Sequence, residues 1–153
     1  MSDDLRDLYQ EVILDHGRHP RNRRVVEHAN HLAHGENPLC GDKLTVFVKL
    51  NPEGIIEDVS FDGQGCAIST ASASLMTEVM LGKTEAEAAK LFGSFHALAT
   101  GAEREAAEGM EDELDRLEVL AGVRDYPVRV KCATLAWHTL QAALHDEGKV
   151  TTE

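Results

Sequence analysis

A chain of 153 residues, 42% of them hydrophobic, can bury roughly 68–70% of its unfolded surface and so form one domain without disulfide staples. Its formal net charge of −12 repels phosphate backbones and argues against nucleic acid as a general partner. Three cysteines are too few, and odd in number, for a secreted disulfide framework, and no apolar run approaches the ~20 residues that span a bilayer.

The start Met1-Ser2-Asp3-Asp4 has neither the basic nor the apolar region of a secretory leader, so a reduced, cytoplasmic protein is expected. Leu5, Leu8, Tyr9, Val12 and Ile13 recur at three- and four-residue steps, the stripe of an amphipathic helix that stops at Gly17. Arg18-His19-Pro20-Arg21-Asn22-Arg23-Arg24 then concentrates positive charge on an acidic background. It is read as a solvated loop at a helix end, with docking to an acidic partner as the alternative.

A short His-rich stretch from about 28 to 34 follows. Leu44, Val46, Val48 and Leu50 alternate before the turn Asn51-Pro52-Glu53-Gly54, which predicts a hairpin whose second arm runs from Ile55 to Asp62. The sheet expected is three antiparallel strands. Cys66 opens a small-residue helix in which Ile68, Ala71, Leu75 and Val79 step along one side until Gly82, and Thr84 with Glu87 forms a capping box for the next helix. The acidic stretch 102 to 119 carries Ala106, Met110, Leu114 and Leu117 in helical register. A last helix is expected from about Val130 to His145, and Gly148 to Glu153 should fray. Residues 1–147 are thus read as one domain and 148–153 as a flexible tail. Helices covering one face of a small antiparallel sheet define an α+β fold.

Cys40 lies in Asn37-Pro38-Leu39-Cys40-Gly41-Asp42, Cys66 in Gly63-Gln64-Gly65-Cys66 and Cys132 in Arg129-Val130-Lys131-Cys132. No two have the Cys-x-x-Cys spacing of a finger or redox motif, so the fold must assemble any shared site. Cys66 and Cys132 are placed at helix starts, where free N–H groups favour a thiolate. Asp42 stands two residues after Cys40, with Gly41 between them to let the backbone aim both side chains at one point. Cys40, Asp42, Cys66 and Cys132 together offer three sulfurs and one oxygen, a tetrahedral set for zinc, and iron could be held as well. With a 2+ ion such a site carries a charge of about −2, so positive neighbours are required, and Arg129 and Lys131 flank Cys132. The histidines His16, His19, His28, His31 and His34 share no ligand motif with Cys40 and are read as surface or loop residues. There is no Gly-x-Ser-x-Gly elbow and no phosphate-cradling loop, which leaves thiolate chemistry.

At these residues the chain resembles the U-type iron-sulfur cluster assembly proteins (IscU, the NifU N-terminal domain and SufU). The matching segments are Leu8-Tyr9, Ile13-Leu14-Asp15-His16 with Pro20-Arg21-Asn22, the Cys40 and Cys66 motifs with Ala71-Ser72-Ala73-Ser74, and Lys131-Cys132-Ala133-Thr134-Leu135-Ala136-Trp137. Within the family it is most similar to the SufU branch. Lys131 replaces the scaffold histidine before the third cysteine, the segment between the second and third cysteines is long, and Asp125-Tyr126-Pro127-Val128-Arg129 stands where scaffolds carry Leu-Pro-Pro-Val-Lys.

The resemblance implies a SufE/NifU-like fold and a zinc-bound sulfurtransferase that accepts persulfide sulfur from a SufS-like, pyridoxal-phosphate-dependent cysteine desulfurase and feeds downstream iron-sulfur assembly machinery. It implies Cys40, Asp42, Cys66 and Cys132 as zinc ligands and Cys40 as the sulfur acceptor. A partner histidine would replace Cys40 on the metal, and Arg129 would support the site. The alternative it leaves open is a scaffold that builds and transfers a [2Fe-2S] cluster.

Overall fold

The computed structural model describes residues 3–102 and 109–151, with side chains from Tyr9 onward. In chain order the elements are α1 (Asp3–Arg18), β1 (His31–Asn37), β2 (Asp42–Leu50), β3 (Ile56–Gln64), α2 (Ala67–Met80), α3 (Glu85–Thr100), α4 (Glu111–Leu117), a 3-10 segment (Glu118–Asp125), α5 (Pro127–Leu144) and β4 (Lys149–Thr151). The fold is α+β, as expected, but the sheet has four strands in the order β3-β2-β1-β4.

The fourth strand corrects the three-stranded expectation and takes three residues of the stretch read as a fraying tail. After α5 the chain reverses at Asp146, whose φ is +56°. Lys149–Thr151 then runs parallel to β1 opposite His34–Glu36, and the His34 N–H donates to the Gly148 carbonyl at 3.0 Å. Three residues without apolar alternation give no strand signal of their own. What makes them a strand is the exposed edge that α5 delivers them to.

Alternation places Leu44, Val46 and Val48 of β2 and Val59 and Phe61 of β3 in the core, with Val46 opposite Phe61 and Val48 opposite Val59. The β2–β3 hairpin turns where the sequence predicts. Asn51 Oδ1 accepts the Glu53 and Ile55 N–H groups, and Gly54 takes φ +79°. On the covered face lies α2, whose run Ala71–Thr77 is buried throughout. Its small residues let α5 approach closely. Trp137 Nε1 donates to Ser72 Oγ at 3.0 Å, Ser72 in turn donates to the Ala133 carbonyl, and Trp137 stacks on Phe95 of α3 with ring centroids 4.2 Å apart.

The capping box opens α3, with Thr84 and Glu87 exchanging side-chain and backbone hydrogen bonds. The acidic helix expected over 102 to 119 is described only in part. Glu111–Leu117 is helical, the chain tightens into the 3-10 segment beyond Leu117, and Ala106 falls outside the described residues. The last helix begins earlier than expected, because Pro127 sits at its first position, where a missing N–H costs nothing.

The basic loop is not a free charged surface. Arg21 pairs with Asp15 at 2.6 Å, Arg23 donates to the Gly63 carbonyl, and Arg24 binds Asp58 through both guanidinium nitrogens, at 2.6 and 3.2 Å. Backbone bonds from Arg24 N–H to the Phe61 carbonyl and from Phe61 N–H to the Asn22 carbonyl lay the loop along the edge of β3. Arg23 and Arg24 fasten the loop to the sheet, and Arg21 ties it to α1.

Candidate metal centre

The hairpin between β1 and β2 builds the first part of the site. Asn37 and Asp42 face each other as a cross-strand pair, and the Cys40 N–H closes a turn onto the Asn37 carbonyl at 3.2 Å. Gly41 takes φ +71°, a left-handed conformation open to glycine, and returns the chain to β2. Residues opposite one another on an antiparallel pair point to the same face. Asn37 and Asp42 therefore both enter the interior, and each is 0% exposed.

The second part is the junction of β3 and α2. Cys66 is the N-cap of α2, and its Sγ accepts the Ser69 N–H at 3.4 Å. Its own N–H donates to Asp42 Oδ1 at 2.8 Å, so one carboxylate oxygen ties the two cysteine segments together. Gly65 makes room for this contact: a Cβ there would stand 2.8 Å from Asp42 Oδ1 and 3.1 Å from Ser69 Oγ.

The third part is α5. Cys132 is 2% exposed and lies in the second turn of the helix rather than at its start, which corrects the helix-terminus expectation for this residue. Its Sγ donates to Cys40 Sγ at 3.1 Å and accepts from Asn37 Nδ2 at 3.7 Å. Burial first, then the hydrogen bond to Cys40 and the charge of Cys66, push the Cys132 thiol far above its ordinary range. A thiol held in this way gives up its proton when a cation competes for the sulfur.

Ligand atoms of Cys40, Asp42 and Cys132 lie within 4.8 Å of one another. Three of the four expected ligands are thus gathered. Cys66 is not in that trio: its sulfur is turned onto the N-terminus of its own helix, although it is near enough to act on the Cys132 thiol. Asp42 Oδ2 is buried without a hydrogen-bond partner among the described residues. An acceptor oxygen without a donor, beside two sulfurs in contact, fits a thiophilic cation such as zinc or iron.

Arg129 lies three residues before Cys132, exposed, with its guanidinium over the Tyr126 ring at 4.5 Å from the centroid. Among the described residues no hydrogen bond joins it to the four candidate ligands. His16 departs from the surface reading. It is 7% exposed, and its Nδ1 lies 2.7 Å from Ser74 Oγ, so it holds α1 against α2. Asn37 is the site residue that sequence reasoning left without a role. Its signal was present in the Asn-Pro turn of the Cys40 motif, but an asparagine that opens a turn normally serves the turn alone.

The fold and the site define a small α+β domain whose hairpin and last helix gather two cysteines and an aspartate that could hold a metal ion. The chain belongs to the NifU-like N-terminal domain family, whose model matches residues 8–151. It is 40% identical over 140 residues to the iron-sulfur cluster assembly scaffold protein IscU of Streptococcus pyogenes serotype M1, covering 92% of this chain and 84% of the relative. It is 38% identical over 143 residues to the zinc-dependent sulfurtransferase SufU of Bacillus subtilis, covering 94% and 93%. Among solved structures, a protein described as a "putative iron-sulfur cluster assembly scaffold protein for SUF system" from Fervidobacterium islandicum superposes with a TM-score of 0.80 at 34% identity, covering 94% of this chain and 99% of that one.

Proposed function

We propose that this chain is an iron-sulfur cluster assembly protein that holds zinc through Cys40, Asp42, Cys66 and Cys132 and accepts persulfide sulfur on Cys40 from a cysteine desulfurase. The observation that carries the reading is the convergence of Cys40, Asp42 and Cys132 around an unpartnered buried carboxylate oxygen. Lys131 in place of a histidine beside Cys132 and the similarity to a zinc-dependent sulfurtransferase favour zinc and sulfur transfer over cluster scaffolding. Bound zinc supplies positive charge that keeps the thiolates deprotonated.

Cys40 has the position an acceptor needs. It is partly exposed at a hairpin tip, next to Leu39 at 61% exposure, and among the described residues its Sγ has one hydrogen bond, from the Cys132 thiol. Its thiolate attacks the outer sulfur of a partner persulfide. A new S–S bond forms at Cys40, the partner's own S–S bond breaks, and the partner leaves as a thiolate with no outside oxidant consumed. Cys66 and Cys132 stay in place, since each accepts a fixed N–H donor, from Ser69 and Asn37. The exposed apolar side chains Leu39, Tyr126 and Val128 border this end of the molecule and suit a docking partner. Arg129 adds positive charge at the rim. This reading places the protein in the cytoplasm, upstream of the iron-sulfur assembly machinery.

Protein purified without added metal should contain about one zinc per chain, raise the turnover of a pyridoxal-phosphate-dependent desulfurase, and carry a persulfide on Cys40 by mass spectrometry. Cys40→Ala should abolish the stimulation, and normal stimulation by that variant rules the reading out. The names of the scaffold relatives favour a second reading, a [2Fe-2S] scaffold on the same thiolates. A stable, transferable cluster after anaerobic reconstitution, without desulfurase stimulation by the zinc form, would establish it.

A further inference from the structure

Asn37 is fully buried, an unusual place for an amide unless its polar atoms are used. Nδ2 donates to Cys132 Sγ at 3.7 Å. Oδ1 has no hydrogen-bond partner among the described residues, so the one side-chain hydrogen bond that the amide makes there goes to a sulfur. Sulfur is a weak acceptor as a thiol and a strong one as a thiolate. The amide therefore gains most when Cys132 is a metal-bound thiolate.

Asn37 is also placed rigidly. It ends β1 directly opposite Asp42, and its carbonyl accepts the Cys40 N–H. One residue thus reaches the Cys40 loop through its backbone and Cys132 through its side chain, with Asp42 as its cross-strand neighbour. Ser69 N–H serves Cys66 in the same sense at 3.4 Å.

We infer that Asn37 is a positioning residue of the metal centre, whose amide N–H bonds the Cys132 thiolate and holds it as a permanent ligand. The inference deepens the metal-centre reading and rests on it. An N–H donor offsets part of the site's surplus negative charge and fixes where the Cys132 sulfur points, whereas Cys40 has no such N–H among the described residues. The thiolate that no amide anchors is the one free to swing out with its hairpin. Outer partners of metal ligands commonly set affinity by 10–100-fold.

The test compares wild-type protein with Asn37→Ala and Asn37→Asp, using zinc competition against a chromophoric chelator and the absorption spectrum of the cobalt(II) form. Asn37→Ala should bind zinc about tenfold more weakly. Its thiolate-to-cobalt charge-transfer band should move to longer wavelength while the ligand-field bands keep their tetrahedral pattern. Asn37→Asp, of equal size but without the donor, should bind more weakly than wild type as well, and it stands in if the alanine variant does not fold. Unchanged zinc affinity and an unchanged charge-transfer band in a folded variant overturn the assignment, as does tighter binding by Asn37→Asp. If wild-type protein itself retains neither zinc nor cobalt(II), the metal-centre reading falls and the assignment with it. Wild-type binding with equal binding by the variants removes the Asn37 assignment alone.

Discussion

Asp42 divides its two carboxylate oxygens between structure and ligand capacity. Oδ1 accepts the Cys66 N–H and so fixes where α2 begins, while Oδ2 remains without a hydrogen-bond partner among the described residues. Gly65 is the residue that permits this, since a Cβ there would sit 2.8 Å from Oδ1. Gly65→Ala forces either the carboxylate or the β3–α2 junction to move, and overpacking of this kind costs about 1–3 kcal/mol. A loss of that size in denaturant melts, with weaker zinc retention, is the expected outcome, and wild-type stability would show that the junction relaxes freely. In the sequence Gly65 shows only as the residue before Cys66 in Gly63-Gln64-Gly65-Cys66. Its contact with an aspartate more than twenty positions earlier in the chain is a tertiary fact, because nothing local brings those atoms together.

The junction of α1 with α2 turns on His16. Ser74 Oγ accepts the Arg21 N–H at 2.8 Å, which leaves the Ser74 hydroxyl hydrogen for His16 Nδ1. The other ring nitrogen, Nε2, faces Glu78 Oε1 at 3.7 Å. Burial first, then the positive charge of Arg21, hold the His16 pKa below its ordinary value, against the opposite pull of Glu78 and Asp15. The fold therefore favours the neutral ring. Its contribution to stability is complete above the unfolded value of about 6.5 and is lost as pH falls through the lowered folded value. Chemical denaturation at a series of pH values should show this loss, and His16→Gln should flatten that part of the profile. An equally steep profile in the variant would place the titration elsewhere. At this scale α2 was legible from its apolar steps and α3 from its capping box, because both signals are local. His16 was misread as a surface group because the partner that buries it lies on another helix.

Across the whole molecule, the candidate ligands come from three separate places: the β1–β2 hairpin, the cap of α2 and the second turn of α5. A cation there cross-links segments that are distant in sequence, and binding to the folded state alone adds its free energy to stability. At a free zinc concentration near a thousand times Kd the gain is about 4 kcal/mol, or roughly 10 °C in Tm for a chain of this size. Treatment with a strong chelator should lower Tm by about that amount, and restored zinc should recover it. A Tm indifferent to chelation would mean that the ion does not bridge these elements. The sequence by itself determined the α+β class, the β2–β3 hairpin, the capping box and the three cysteine motifs, because periodicity, turn chemistry and residue type are local properties. Only the tertiary structure decided that β4 completes the sheet, that the arginine loop is fastened to β3, and that Asn37 reaches Cys132. Each of those depends on which distant backbone surfaces meet, and burial and charge pairing select that meeting only once the chain has closed on itself.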